Sequence, residues 1–227
     1  MSNRGQLAED QEQNMINNAN TIDYREHREH VRVWLIRHGA TAGNLEHRYV
    51  GTTEEPLCEA GRRALQNCSY PTVDVVVCSP MKRCLETADI LYPGIPRIIE
   101  TSLRECDFGR FEGKNYKDLT GDAEYQYWID HNGRSPFPGG EDVQAFRKRC
   151  EEGFLHCMEQ VHTSVAFVVH GGTIMSILAA YGLPAGDYYD FQVRNGEGYE
   201  TLWDGSHLHI LSSVAPGREE TEIERKG

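Results

Sequence analysis

Val31-Arg32-Val33-Trp34-Leu35-Ile36-Arg37-His38-Gly39 is the stretch whose reading decides the fold. Its first six residues, apolar but for Arg32, describe a buried strand. The strand runs into Arg-His-Gly, which sets a guanidinium and an imidazole at its C-terminal mouth, where open α/β sheets build their ligand sites. A second stretch repeats the pattern: Val165-Ala166-Phe167-Val168-Val169 leads into His170-Gly171-Gly172. Two strand ends, each delivering a histidine into a glycine turn, point to one shared pocket.

Working outward, strand and helix patterns alternate. A helix is expected around 59–68 and a strand over 73–78. Ser79-Pro80 follows, with Ser79 placed to cap a helix running to about Leu91 and Pro80 suited to its first position. Arg97-Ile98-Ile99-Glu100 reads as another strand. Glu141 to His162 has helical periodicity, and after strand 165–169 comes an apolar helix, Thr173–Tyr181. Short strands near 199–203 and 207–212 flank Asp204-Gly205, a good hairpin turn. Such alternation predicts a three-layer α/β/α sandwich with a mostly parallel sheet and an antiparallel edge supplied by the terminal hairpin.

The segment from Asp107 to Gly140 interrupts the alternation with Phe108, Phe111, Tyr116, Tyr125, Tyr127, Trp128 and Phe137. It is expected to form a lid or pocket wall, a small satellite core, or both. The expected organisation is therefore a polar extension at 1–29, a domain at 30–213 with this insertion at about 107–140, and a charged tail at 214–227. His27 and His30 stand three apart in the extension, among charges that read as a solvated face rather than a metal site.

The chain has 227 residues and a formal charge of -12, with a pI near 5.3, which argues against binding nucleic acid or an anionic membrane. A local cluster of Arg and His can still make a positive pocket for a small anion. Seven scattered cysteines without a Cys-x-x-Cys pair suit reduced thiols in a cytoplasmic protein, and no metal-ligand spacing is apparent. No cofactor is expected.

Arg83 lies one turn into the helix after the 73–78 strand, near that helix's positive end. Arg37, His38, Arg83 and His170 would thus converge at one mouth as an anion site, since Arg forks match phosphate oxygens. A neutral imidazole adds a nucleophile. Any one of these residues alone has an ordinary structural explanation, but together they require several coincidences at matching positions.

Arg37-His38-Gly39-Ala40-Thr41 with Asn44 resembles the Arg-His-Gly-x-Thr-x-x-Asn signature of the histidine phosphatase (phosphoglycerate mutase-like) superfamily. Ser79-Pro80-Met81-Lys82-Arg83 running to Glu86-Thr87-Ala88, Leu103-Arg104-Glu105, and Val168-Val169-His170-Gly171 resemble its remaining blocks, in the family's order over residues 31 to 212. The resemblance implies that His38 is a nucleophile forming a phosphohistidine and that Glu105 is the acid and later the base. It implies that Arg37, Asn44, Arg83 and His170 hold the phosphoryl group, and that no metal is needed. Ala40 and Val169 depart from commoner family residues without touching the chemistry.

Arg48-Tyr49-Val50-Gly51 with Glu55-Pro56-Leu57, and Phe137-Pro138-Gly139-Gly140-Glu141, are similar to the α-ribazole phosphatases of the cobalamin pathway. Gly139 to Asp142 can equally be a bend followed by a helix cap. The expectation is a phosphomonoesterase for a small phosphorylated metabolite, with α-ribazole phosphate a candidate substrate. The alternatives are a 2,3-bisphosphoglycerate-dependent phosphoglycerate mutase and a non-catalytic phosphate-binding or protein-interaction module.

Overall fold

The computed structural model describes residues 30–66 and 70–215. The N-terminal extension, Cys68, the last two residues of the helix expected at 59–68 and most of the charged tail lie outside the described residues.

The elements run β1 (Val31–Arg37), α1 (Ala42–Leu45), α2 (Glu59–Gln66), β2 (Val75–Cys78), α3 (Lys82–Leu91) and β3 (Arg97–Ile99). After the aromatic segment, which carries α4 (Ala123–Asp130), come α5 (Val143–Gln160), β4 (Val165–Val169), α6 (Gly171–Tyr181) and β5 (Gly182–Leu183). The strands β6 (Gly198–Trp203) and β7 (Leu208–Val214) close the fold.

The sheet order is β3-β2-β4-β1-β6-β7-β5. Its first four strands are mutually parallel, β6 lies antiparallel to β1, and β7 returns antiparallel to β6. Side chains alternate along each strand, so both faces must be covered. Val33, Leu35, Phe167 and Val169 pack with Phe154 and Cys157 of α5 and Ile174 and Ile177 of α6. Trp34, Ile36, Ala166 and Val168 face the other way, against Cys84 and Ala88 of α3. Each Val, Leu, Ile or Phe among them, buried on folding, contributes about 1.5–3 kcal/mol. The result is the expected α/β/α sandwich.

Register explains why the histidines meet. Arg37 on β1 pairs with Val169 on β4, so His38 and His170 each follow at the next position, and the His38 N–H donates to the Val169 carbonyl at 2.9 Å. Neighbouring parallel strands that end level deliver their next residues side by side.

Several local expectations are corrected. Ser79 does not cap α3, and Pro80 is not its first residue: the helix starts at Lys82 with Met81 at the N-cap and no side-chain cap. The Ser79 hydroxyl instead lies 2.8 Å from His170 Nε2. The apolar helix begins at Gly171, directly after His170, rather than at Thr173. Asp142 alone caps α5, accepting from the Gln144 and Ala145 N–H groups, while Glu141 pairs with Arg149. The terminal hairpin supplies the antiparallel pairing, but the two-residue β5 lies outside it, and β7 runs to Val214, one residue into the expected tail.

The aromatic segment forms a satellite core and a pocket wall at once. Phe111, Leu119 and Phe137 are buried with Phe146 and Cys150 of α5, and Phe108, Tyr125 and Trp128 pack against them. Most ring pairs meet edge to face, as their quadrupoles favour; Phe108 and Phe137 are 5.0 Å apart at 81°, whereas Tyr125 and Trp128 stack at 13°. Tyr49, from the loop after α1, joins this cluster, and its backbone exchanges hydrogen bonds with Gly113 and Lys114 at 2.9 Å.

Candidate active site

A pocket of about 950 Å³ opens at the C-terminal ends of β1 and β4. Arg37, His38, Asn44 and Glu105 line its polar end, while Phe108, Trp128 and Phe137 help to line the aromatic wall.

His38 is 3% exposed. Its Nδ1 lies 2.7 Å from the Gly39 carbonyl oxygen, which can only accept, so Nδ1 carries the hydrogen and Nε2 keeps its lone pair. Burial, then the Arg83 and Arg37 charges, push the His38 pKa well below the ordinary histidine range. The ring is therefore neutral and correctly tautomerised for nucleophilic work. The Gly39 N–H donates to Thr87 Oγ1 at 3.0 Å, fixing the turn that holds the imidazole.

His170 is 0% exposed, its ring 5.2 Å from that of His38 and at 67° to it. Burial and the neighbouring Arg83 keep it neutral in the same way. Arg83 is also 0% exposed. Neither residue reaches the pocket surface, although the sequence places both at the phosphate. The Arg83 guanidinium is committed instead to a loop, donating to the carbonyls of Gly51 at 2.8 Å, Thr53 at 2.9 Å and Val50 at 3.3 Å. Glu112 grips the same loop from its amide side, accepting from the Gly51 and Thr52 N–H groups and the Thr53 hydroxyl. A side chain on Gly51 would collide with the Cys106 carbonyl oxygen, so this close approach requires glycine.

Arg37 donates to the Val193 carbonyl at 2.7 Å. Among the described residues, the buried Nε–H groups of Arg37 and Arg83 have no acceptor. An orphaned buried donor costs about 1–3 kcal/mol, more when charged, and two of them beside His38 make a place where an anion is stabilised.

Glu105 accepts from its neighbour Cys106 N–H at 3.0 Å and from Gly172 N–H, in the first turn of α6, at 3.2 Å. Burial raises its pKa; those two hydrogen bonds and the Arg83 and Arg37 charges oppose the rise without cancelling it. A proton is thus held more readily than by an ordinary carboxyl, next to two cations that favour an anion. Asn44 accepts the Thr41 N–H at 3.2 Å through Oδ1 while Thr41 Oγ1 accepts the Asn44 N–H at 3.2 Å, a reciprocal cap at the start of α1.

Two side chains at this site escaped the sequence reading. Asn195 donates through Nδ2 to the His38 carbonyl at 3.1 Å and to Asn44 Oδ1 at 3.0 Å, which turns the Asn44 amide nitrogen away from both contacts. Arg149 binds both oxygens of Glu141 and the carbonyls of Ser102, Arg104 and Glu105, fixing the loop that presents Glu105. Their partners lie up to 157 residues away, beyond any local pattern. Among the described residues no three His, Cys, Asp or Glu side chains are grouped as a metal would need, and no helix is long and apolar enough to cross a membrane.

Residues 33–215 match the model of the histidine phosphatase superfamily, branch 1. This chain belongs to that superfamily. It is 32% identical over 201 residues to the adenosylcobalamin/α-ribazole phosphatase of Escherichia coli K12, covering 83% of this chain and 99% of the relative. The crystal structure of the α-ribazole phosphatase from Shigella flexneri superposes with a TM-score of 0.69 at 30% identity, covering 84% of this chain and all of that one. A probable phosphoglycerate mutase of Salmonella choleraesuis is 28% identical, over 78% of this chain and 95% of the relative. Membership and these relatives support a phosphoric monoester hydrolase.

Proposed function

We propose that this histidine phosphatase hydrolyses a small phosphomonoester without a metal, through a phosphohistidine on His38. The observation that carries the reading is the buried, neutral His38 with Nδ1 bound to the Gly39 carbonyl, which leaves Nε2 free to attack phosphorus. Arg37 and Asn44 hold the phosphoryl oxygens. Arg83, buried beside His38 and outside the pocket lining, supplies positive charge as the transition state develops, with its orphaned Nε–H as a spare donor, and the neutral His170 ring packs edge-on against His38. Glu105, raised by burial, protonates the leaving alkoxide, then takes a proton from the water that releases phosphate and frees Nε2.

α-Ribazole phosphate is the favoured substrate. Support comes from the relatives named for that activity and from the pocket, much larger than a phosphate and lined in part by Phe108, Trp128 and Phe137. The substrate is a small molecule, and we place the protein in the cytoplasm. Purified protein tested against α-ribazole phosphate, 3-phosphoglycerate and phenyl phosphate, with and without a chelator, examines this directly. Hydrolysis of α-ribazole phosphate should exceed that of the others and survive chelation. Bisphosphoglycerate-dependent isomerisation of 3-phosphoglycerate exceeding any hydrolysis would overturn the reading in favour of a mutase. Binding of phosphate without turnover would make the protein a non-catalytic module.

A further inference from the structure

Arg147, on α5, lines the same pocket but belongs to none of the groups that surround the phosphate. Its guanidinium lies 3.9 Å from the centre of the Tyr188 ring, a cation stacked on an aromatic face. Among the described residues its buried Nε–H has no acceptor, and its charge acts on the Glu151 carboxyl one turn further along α5. This contrasts with Arg149 two residues on, which is saturated by Glu141 and three carbonyls. A guanidinium resting on a ring with its Nε–H unpartnered keeps hydrogen-bonding capacity that the protein does not use.

The pair also has a defined place relative to the reaction. The Tyr188 hydroxyl donates to the Gly172 carbonyl at 3.4 Å, and the N–H of Gly172 donates to Glu105 at 3.2 Å. A side chain at Gly172 would strike both Glu105 and the Phe146 ring, so Glu105 and this wall are pressed against one residue. If Glu105 protonates the leaving oxygen, the leaving alcohol lies beside Glu105. The side chains next to Glu105 are then those that meet the alcohol. Phe108, Trp128 and Phe137 line the same pocket.

We infer that Arg147, oriented by Tyr188, is a specificity-determining residue that donates to a hydrogen-bond acceptor on a leaving alcohol whose flat ring rests on the aromatic wall. This rests on the proposed phosphomonoesterase reading and adds the chemical class it selects: a phosphorylated alcohol carrying a ring and, apart from the phosphate, an acceptor oxygen or nitrogen. A guanidinium fork cannot be replaced here by an ammonium, which neither stacks nor presents two parallel donors.

The test compares full-length wild-type, Arg147→Ala and Arg147→Lys proteins on two probes. Phenyl phosphate has the ring without the acceptor, and α-ribazole phosphate has both. The ratio of kcat/KM for α-ribazole phosphate to that for phenyl phosphate should fall at least tenfold in Arg147→Ala, mainly through KM, with Arg147→Lys recovering only part. A second readout needs no turnover of the riboside: α-ribazole itself should inhibit phenyl phosphate hydrolysis competitively, with a Ki at least tenfold weaker in Arg147→Ala. An unchanged ratio and an unchanged Ki overturn the inference, as does an absence of inhibition in wild type. Failure of the wild type to hydrolyse phenyl phosphate would instead sink the phosphomonoesterase reading. Hydrolysis of phenyl phosphate but not α-ribazole phosphate, with inhibition by α-ribazole intact, would remove α-ribazole phosphate as substrate and leave the Arg147 subsite standing.

Discussion

The strand-end site and the aromatic wall share one pocket but are held in opposite ways. At the strand ends, groups are placed by directional bonds, many of them to backbone: level register of β1 and β4, a Gly39 carbonyl on Nδ1, a Gly172 amide on Glu105, a Ser79 hydroxyl on His170. The wall is placed by packing of rings, from Tyr49 through Phe108, Phe111 and Trp128 to Phe137, with few directional bonds among them. Directional bonds fix a reacting atom to within fractions of an ångström, whereas ring packing tolerates exchange of shape. Chemistry therefore sits at the strand ends and selectivity on the wall.

The sharpest way to break this division is to remove the nucleophile. His38→Ala should cut kcat by about 10⁴-fold or more while the fold and α-ribazole binding persist. Loss of phosphate release in a single-turnover assay, together with absence of an acid-labile phosphoprotein, would agree; vigorous hydrolysis by the variant would remove His38 from its role.

On the wall, Phe111 is the most buried ring, at 1% exposure. Phe111→Ala should cost about 3–5 kcal/mol of stability in denaturant titration, as a large core ring usually does. Its kcat on phenyl phosphate should stay within a few-fold at a temperature where the protein remains folded. A hundredfold drop in kcat there would mean that the wall takes part in the chemistry.

The smallest effect belongs to Glu105→Gln, about 10²-fold on a poor leaving group such as an alkyl riboside phosphate and less on p-nitrophenyl phosphate. The pH profile carries a sign as well. His38 must be neutral and its pKa is depressed, so kcat/KM should fall only in strong acid. Glu105 must be protonated and its pKa is raised, so activity should decline on the alkaline side of that raised value, giving an acidic optimum. In Glu105→Gln the alkaline limb should vanish; its persistence would assign the acid elsewhere.

The same division governs what could be read from the sequence. Strands β1 and β4 announce themselves as apolar runs, and the groups at their ends follow from chain direction alone. The insertion of β6 beside β1 could not be foreseen, because hydrophobic alternation says nothing of which strand pairs with which. Ser79 reads as a cap because Ser-Pro before a helix is a common one, yet here a histidine from 91 residues away takes the hydroxyl. Arg83 was recognised as a functional cation, but its carbonyl partners on the 50–53 loop depend on tertiary contact. Asn195 had no local pattern at all. Residues whose roles follow from neighbours in sequence were legible, and those defined by distant partners were not.

One consequence follows from the loop clasped between Arg83 and Glu112. Its carbonyls turn to a guanidinium beside the nucleophile and its amides turn to a carboxylate rooted in the aromatic segment. The loop also begins at Tyr49, which packs into the wall. Substitutions on the two sides of the pocket are therefore energetically entangled: removing Arg83 frees the backbone that carries Tyr49, so losses at Arg83 and Tyr49 should not add when combined. A laboratory lineage that retunes the wall for a new alcohol would find its choices limited by an arginine that never touches that alcohol.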